Sequence, residues 1–260
     1  MNCFKWRDSL LELFFPSKSI CPICWQKDLE GKYQGVCPSC LKKIMEITRE
    51  VETCPRCGYF TAGEACPNCR YWAESVLTVG SVVPYDGVFK ELIHDFKYNE
   101  KKEFAFPLGY LMAYRVKEMG IAEKIHAVMP VPLYIGREIE RGYNQSLLLA
   151  KVIAKELQKP LWRDALERKH FHHTQTILGR KERVENLAGA FEYARNEDVN
   201  GNSILLVDDI ITTGATLLSC TNTLQKAGAQ QVYGITWAAG YSLKLLKEMQ
   251  ENNFFHREGR

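Results

Sequence analysis

The residues best placed to do chemistry run from Leu205 to Thr216, in the order Leu-Leu-Val-Asp-Asp-Ile-Ile-Thr-Thr-Gly-Ala-Thr. An apolar strand ends in two carboxylates, Asp208 and Asp209. A hydroxyl- and glycine-rich turn follows, with Thr212, Thr213, Gly214, Ala215 and Thr216 leading into a helix. Carboxylates at the C-terminal edge of a strand accept hydrogen bonds from sugar hydroxyls. A turn that runs into a helix offers backbone N–H groups and the positive end of the helix dipole, both of which hold phosphate. Together they suit a ribose carrying a phosphate. The plainer reading is a buried strand with an Asp N-cap and Thr-rich turn chemistry. The order of strand, acid pair, turn and helix favours the ligand.

A second set of chemically capable residues lies near the start of the chain. Eight of the ten cysteines form four C-x-x-C pairs: Cys21/Cys24, Cys37/Cys40, Cys54/Cys57 and Cys66/Cys69. Two thiolates two residues apart bind one ion through a tight turn, and two such knuckles complete a tetrahedral Zn(II) site. Four knuckles predict two structural zinc ions. Pro22, Pro38, Pro55 and Pro67 each follow the first cysteine of a pair, and Gly58 follows Cys57, as tight turns require. A disulfide framework is the rival, but it belongs to oxidising compartments, and a redox C-x-x-C occurs once beside a βαβ unit. Pairing in sequence order closes the shortest loops, while an interleaved pairing stays open. Cys3 and Cys220 read as free thiols.

Charge limits what the cysteine region does. Residues 1–75 hold ten Lys/Arg and nine Asp/Glu. Each Zn(II) with four thiolates carries about −2, which takes the formal net charge from +3 to about −1. Global electrostatics thus supply little nucleic-acid affinity, and any such binding needs a local patch. One patch runs from Arg163 to Arg183, with Arg168, Lys169, Arg180 and Lys181 between them, against Asp164, Glu167 and Glu182. It also holds His170, His172 and His173, half of the six histidines. No carboxylate or cysteine stands at useful ligand spacing for these histidines. A solvated loop and a phosphate-contacting loop both fit.

These residues need a frame. The chain has 260 residues, 46% hydrophobic and 25% charged, enough for one ordinary domain and a small one. No apolar run approaches the ~20 residues of a membrane span. The N-terminal residues lack a continuous apolar core and a small-residue cleavage site, so a cytoplasmic protein is expected. Residues 1–75 read as the metal module, 76–240 as the main domain and 241–260 as a terminal helix and tail. Strands are expected over Val76–Val83, His126–Pro132, Leu205–Val207 and Val232–Ala238. Helices are expected over Gly87–Tyr98, Phe104–Lys117, Asn144–Leu157, Ala215–Lys226 and Leu243–Met249, with Gly228 closing the fourth. Alternating strands and helices imply an α/β fold with a parallel sheet, right-handed crossovers and ligands beyond the strands' carboxyl ends. The Pro130–Pro132 loop sits at one such end. Arg137 and Arg141 follow it in an irregular segment, spaced to clamp a pyrophosphate.

The 207–216 stretch resembles the diphosphoribosyl-binding fingerprint of type I phosphoribosyltransferases. Add the cysteine knuckles, Val131-Pro132-Leu133, Arg141-Gly142-Tyr143-Asn144-Gln145 and Arg183-x-x-Asn186-Leu187-x-Gly189-Ala190-Phe191, and the whole looks like the ComF competence family, its ComFC-type members in particular. The resemblance runs from about Cys21 to Ala239. It implies a type I phosphoribosyltransferase-like parallel sheet flanked by helices, preceded by a small double zinc-ribbon module. It implies a role in natural transformation, handling incoming single-stranded DNA beside competence or recombination proteins. Carried over by position, Asp208 and Asp209 hold the ribose hydroxyls of phosphoribosyl diphosphate (PRPP) with Mg(II) nearby, and Thr212 to Thr216 cradle the 5′-phosphate. Arg137 or Arg141 belongs to the pyrophosphate loop. Residues 168–180 correspond to the flap, so that Arg168, Lys169, Arg180 and Arg183 become flap or nucleic-acid contacts. Several purine-using relatives place an Asp where this chain has Thr212. Three functions are therefore compatible with the sequence: an active transferase with an unread acceptor, a PRPP-binding regulator with little turnover, and a scaffold whose phosphate site holds nucleic acid.

Overall fold

The computed structural model describes residues 21–26, 35–64, 66, 67, 69, 72, 77–169, 187, 189–194, 196–245 and 247. Its centre is a four-stranded sheet made of β1 (Leu77–Pro84), β2 (Ala127–Pro130), β5 (Ser203–Ile211) and β6 (Gln231–Ala239). The strands run in the order β1-β6-β5-β2, and every pairing is parallel. Parallel strands lie under helices on both faces, which is why they read as continuous apolar runs. Ile204 to Val207 are fully buried, as are Val232, Ile235 and Trp237.

The helices α2 (Gly87–Tyr98), α3 (Ala105–Glu118), α5 (Gln145–Leu157) and α6 (Ala215–Lys226) supply those covers. Val88, Phe89, Leu92, Ile93 and Phe96 form the buried stripe of α2. On one face, α3 packs on β1 and β6 while α5 packs on β2 and β5. The two helices approach closely because Gly109 has no side chain: a Cβ there would stand 2.7 Å from the Cβ of Val152. On the other face lies α6. A Cβ at Gly234 would meet Leu217, whereas one at Gly80 would meet Met119 at the end of α3, so the two faces are read by alternate residues.

Several elements differ from what the sequence predicts. The acid pair is not the end of its strand: β5 continues through Ile210 and Ile211, which pair with Ala238 and Ala239. The segment expected to be irregular after Pro132 contains α4 (Ile135–Arg141), with no buried residue and ended by Gly142 at φ 73. A small antiparallel ribbon, β3 (Leu166–Arg168) with β4 (Phe191–Tyr193), flanks the expected flap. Arg180, Arg183, the three clustered histidines and Cys3 lie outside the described residues. No helix among the described residues is long and apolar enough to cross a membrane.

The cysteine region is built onto this frame. Helix α1 (Pro38–Glu50) has Cys37 as its N-cap and Pro38 in its first turn, a position proline tolerates because its missing N–H has no intrahelical use. Arg49 ties α1 to α3, its Nε 3.1 Å from Glu118 and its NH2 2.7 Å from Tyr114 Oη. The Cys54–Cys57 knuckle lies along β1, where the Val79 amide donates to Arg56 O at 2.9 Å. Phe60, fully buried, exchanges backbone bonds with the end of β6 through Gly240 O and the Ser242 amide. An exposed edge strand invites unwanted pairing, and the knuckle covers the free edge of β1.

Candidate functional site

The site forms where β5 leaves the sheet. Asp208 pairs with Thr236 of β6, and Asp209 is buried beside it at 8% exposure. One oxygen of Asp208, Oδ1, accepts from Ser146 Oγ at 3.0 Å and from the Asp209 amide at 2.9 Å. Ser146 sits in the first turn of α5, whose start is fixed by Asn144. The Asn144 side chain accepts from the Leu147 amide at 3.2 Å, the N-cap bond, and donates to Val131 O at 3.2 Å. One asparagine thus joins the loop after β2 to the helix that carries Ser146.

Asp209 is held by a cation. Lys97 Nζ, at the end of α2, lies 2.9 Å from Asp209 Oδ1, and both side chains are largely buried. Burial and the neighbouring charge of Asp209 push the Asp208 carboxyl up to about 7, against the pull of Lys97, the Asp209 amide and the Ser146 hydroxyl. A carboxyl near neutrality needs little to ionise it fully, and a polyhydroxyl or cationic partner suffices. Lys97 and Ser146 carry no mark in the sequence that separates them from other lysines and serines of their helices. A long-range contact brings them in.

Past Ile211 the chain turns. Thr212 is exposed, Thr213 and Gly214 are buried, and α6 begins at Ala215. Gly214 is the N-cap at φ 78, a conformation that costs a residue with a Cβ about 1–2 kcal/mol. The first amides of α6 have no carbonyl partner within the helix and face outward from its positive end. Such an N-terminus can hold a phosphate.

The two candidate arginines of the loop after β2 have different surroundings. Arg137 is exposed on α4. Arg141 stacks over the Tyr98 ring at 4.8 Å, with NH2 3.0 Å from Tyr98 Oη and NH1 3.1 Å from Gln145 Oε1. A cleft of about 540 Å³ opens between this loop and the β3–β4 ribbon. Pro130, Leu133, Ile135 and Leu147 line one side, and Arg163, Arg168 and Lys169 the other, with Glu138, Asp164, Glu167 and Glu192 among them. Arg168 stacks on Phe191 at 5.5 Å and Lys169 pairs with Glu192 at 3.3 Å. Burial lowers the Arg168 pKa, the charge of Arg137 lowers it further, and Asp208 opposes both. Asn144, which lines the cleft, also caps the helix whose Ser146 holds Asp208.

The eight knuckle cysteines assemble into two groups in sequence order: Cys21, Cys24, Cys37 and Cys40, then Cys54, Cys57, Cys66 and Cys69, each with all sulfurs within 4.8 Å of one another. Neighbouring sulfurs stand 3.4 Å apart for Cys54/Cys69 and Cys57/Cys66, and 3.6 Å for Cys24/Cys37. A disulfide needs ~2.05 Å, whereas a tetrahedron of ~2.3 Å Zn–S bonds has edges of about 3.8 Å. Both groups can hold zinc. Burial raises the Cys24 thiol to about 11 and, together with Cys54, the Cys69 thiol to about 12. Four crowded thiols ionise together only when a cation compensates them.

Comparison with known proteins agrees with this geometry. Residues 143–258 match the phosphoribosyl transferase domain family. Competence protein F of Haemophilus influenzae is 31% identical over 217 residues, which cover 78% of this chain and 91% of that protein. Competence protein ComFC of Bacillus subtilis is 31% identical over 214 residues, covering 78% and 83%. Among solved structures, the adenine phosphoribosyltransferase of Leishmania tarentolae aligns at a TM-score of 0.38 and 12% identity over 64% of this chain and 93% of that one. At 31% identity over most of both relatives, the chain belongs to the ComF family of competence proteins and carries a phosphoribosyl transferase domain.

Proposed function

We propose that the chain binds PRPP with Mg(II) at Asp208, Asp209 and the Thr212–Thr216 turn, and that this site serves a role in natural transformation. The observation that carries the reading is the convergence at the carboxyl end of β5. Two carboxylates, held by Ser146 and Lys97, stand near the end of β5, with Ile210 and Ile211 between them and a turn whose amides open α6. Asp208 and Asp209 accept from the 2′- and 3′-hydroxyls, while the turn takes the 5′-phosphate. The cleft beside Arg137 and Arg168 receives the pyrophosphate end. Both carboxylates are hard oxygen donors that suit Mg(II), which when bound neutralises diphosphate charge.

Transfer from PRPP breaks the bond between C1 of the sugar and pyrophosphate, leaving oxocarbenium character on the ring. This chain's residues hold the ribose and the leaving group's charge while that develops. Thr212 offers no carboxylate to take a proton from an acceptor, so the acceptor either ionises without a base at this position or is absent and the protein senses PRPP without turning it over.

Binding of single-stranded DNA is a second reading, supported by exposed aromatic and apolar side chains around α4. Tyr98 is 53% exposed under Arg141, and Ile135 and Ile139 are exposed on α4. Bases stack on such aromatic and guanidinium planes. Calorimetric titration of PRPP with Mg(II) into zinc-loaded protein tests the first reading, with Asp208→Ala/Asp209→Ala as the control. Saturable heat in the native protein that vanishes in the double variant is expected. Heat that survives the double variant, or none in either protein, overturns it, and an oligonucleotide in the same cell tests the second.

A further inference from the structure

The second cysteine cluster reaches the phosphate turn through one side chain. Trp72, three residues after Cys69, is 1% exposed. Its backbone amide donates to Cys69 O at 3.0 Å, so its position is set by the last ligand of the cluster. Its indole Nε1 donates to Thr213 O at 3.1 Å, in a buried bond between segments distant in sequence. The ring also lies against Gly214: a Cβ on that residue would stand 2.2 Å from Cζ2 and 2.7 Å from Cε2 of Trp72. Among the described residues, the three atoms nearest to such a Cβ beyond its chain neighbours all belong to Trp72.

The bond has a directional consequence. The 213–214 peptide is trans, as are all the described peptides, so the Thr213 carbonyl and the Gly214 N–H point in opposite directions within one plane. An indole that fixes the carbonyl on the cluster's side fixes the N–H on the other. The rest of the cluster is anchored independently to the sheet, since a Cβ on Gly58 of the Cys54–Cys57 knuckle would lie 2.7 Å from Ser81 Oγ. An ion joining Cys54 and Cys57 to Cys66 and Cys69 therefore ties the leg that carries Trp72 to a rigid part of the fold.

We infer that the second four-cysteine cluster is a brace for the phosphate turn, with Trp72 as the positioning residue, so that metal occupancy at that cluster sets the order of residues 213–217. The inference rests on the reading of the turn as a phosphate site for its functional meaning, but not for its structural content. The first cluster carries no such link among the described residues, since its helix α1 docks on α3 and β1 instead.

Hydrogen exchange on the full-length, zinc-loaded protein tests it, read on the peptide spanning 211–217 against the β5 core at 204–207. Trp72→Phe keeps an aromatic six-membered ring and all eight thiols while removing the five-membered ring that carries the Nε1 donor. Loss of one buried hydrogen bond corresponds to roughly two- to tenfold faster local exchange. The expected result is acceleration confined to 211–217 in Trp72→Phe, with zinc content unchanged, and a larger one in Cys69→Ser. Cys24→Ser, in the first cluster, should leave 211–217 as in the native protein. Unchanged exchange in Trp72→Phe overturns the brace, and so does equal acceleration across β5 or in Cys24→Ser, which would mark general loosening. PRPP titrations on the same proteins separate the two ideas: faster exchange without any PRPP binding by the native protein retains the brace and removes the phosphate reading, while native binding with unchanged exchange does the reverse.

Discussion

Replacing Asp208 by Asn isolates the electrostatic cost built into the acid pair. Asparagine keeps an Oδ1 acceptor for Ser146 and for the Asp209 amide, the two bonds made by Asp208, and removes only the charge. The carboxyl moves from an ordinary 3.8 to about 7, burial first and Asp209 second. At 1.36 kcal/mol per pH unit that corresponds to roughly 4 kcal/mol of native-state cost once the group is ionised. Asp208 is only half-buried, and water at its outer edge screens part of the repulsion, so a net effect of about 2 kcal/mol is expected. A raised carboxyl pKa favours the folded state below the unfolded value and loses that advantage as pH rises through the folded value. Urea unfolding of the native protein and of Asp208→Asn should therefore give similar stabilities near pH 4. The variant should gain steadily between pH 4 and 7, then hold its lead at pH 8. The same variant should lose PRPP binding, because the ionised carboxylate is the acceptor that ribose and Mg(II) require. A stability difference that is flat from pH 4 to pH 8 would refute the account, since a geometric effect of the amide has no reason to follow this titration.

Two further expectations follow from contacts around the turn. Lys97→Met leaves Asp209 without its partner, and breaking a buried pair from one side costs about 3 kcal/mol; the loss should be smaller at pH 5, where Asp208 is protonated, and equal losses in urea at pH 5 and pH 8 would contradict the shared-charge picture. Gly214→Ala should cost clearly more than Gly189→Ala, although both glycines have φ +78, because among the described residues nothing stands within 4 Å of a Cβ at Gly189 while Trp72 blocks one at Gly214. The strain alone is about 1–2 kcal/mol, so thermal unfolding of the two variants should differ by the Trp72 clash, and matching shifts would mean that the ring simply moves aside.

What the sequence revealed, and what it hid, divides along the range of the interactions involved. Elements with a buried stripe were legible, because burial writes a period into the residues: the expected Gly87–Tyr98 and Ala215–Lys226 helices are found with those bounds. Helix α4 wrote no such period, having no buried residue at all, and the three-residue strands β3 and β4 are too short to show one. The carboxylates were expected at the end of β5 because Asp disfavours strand interiors. The strand nevertheless continues, since Ile211 is buried against its neighbour. Cysteine spacing was legible because a metal knuckle is local chemistry. Its consequence was not: the cysteine module shares backbone bonds with β1 and with the end of β6 and places Trp72 on the 213–214 turn. Lys97, Ser146 and Trp72, the side chains that hold the acids and the turn, are each a single ordinary residue on an element built for another reason. The acid pair and the turn were visible as a motif in the sequence, while the atoms that hold them in shape come from three other segments. In this chain one of those segments follows a four-cysteine cluster, so the cysteines bear on the turn as well as on their own module.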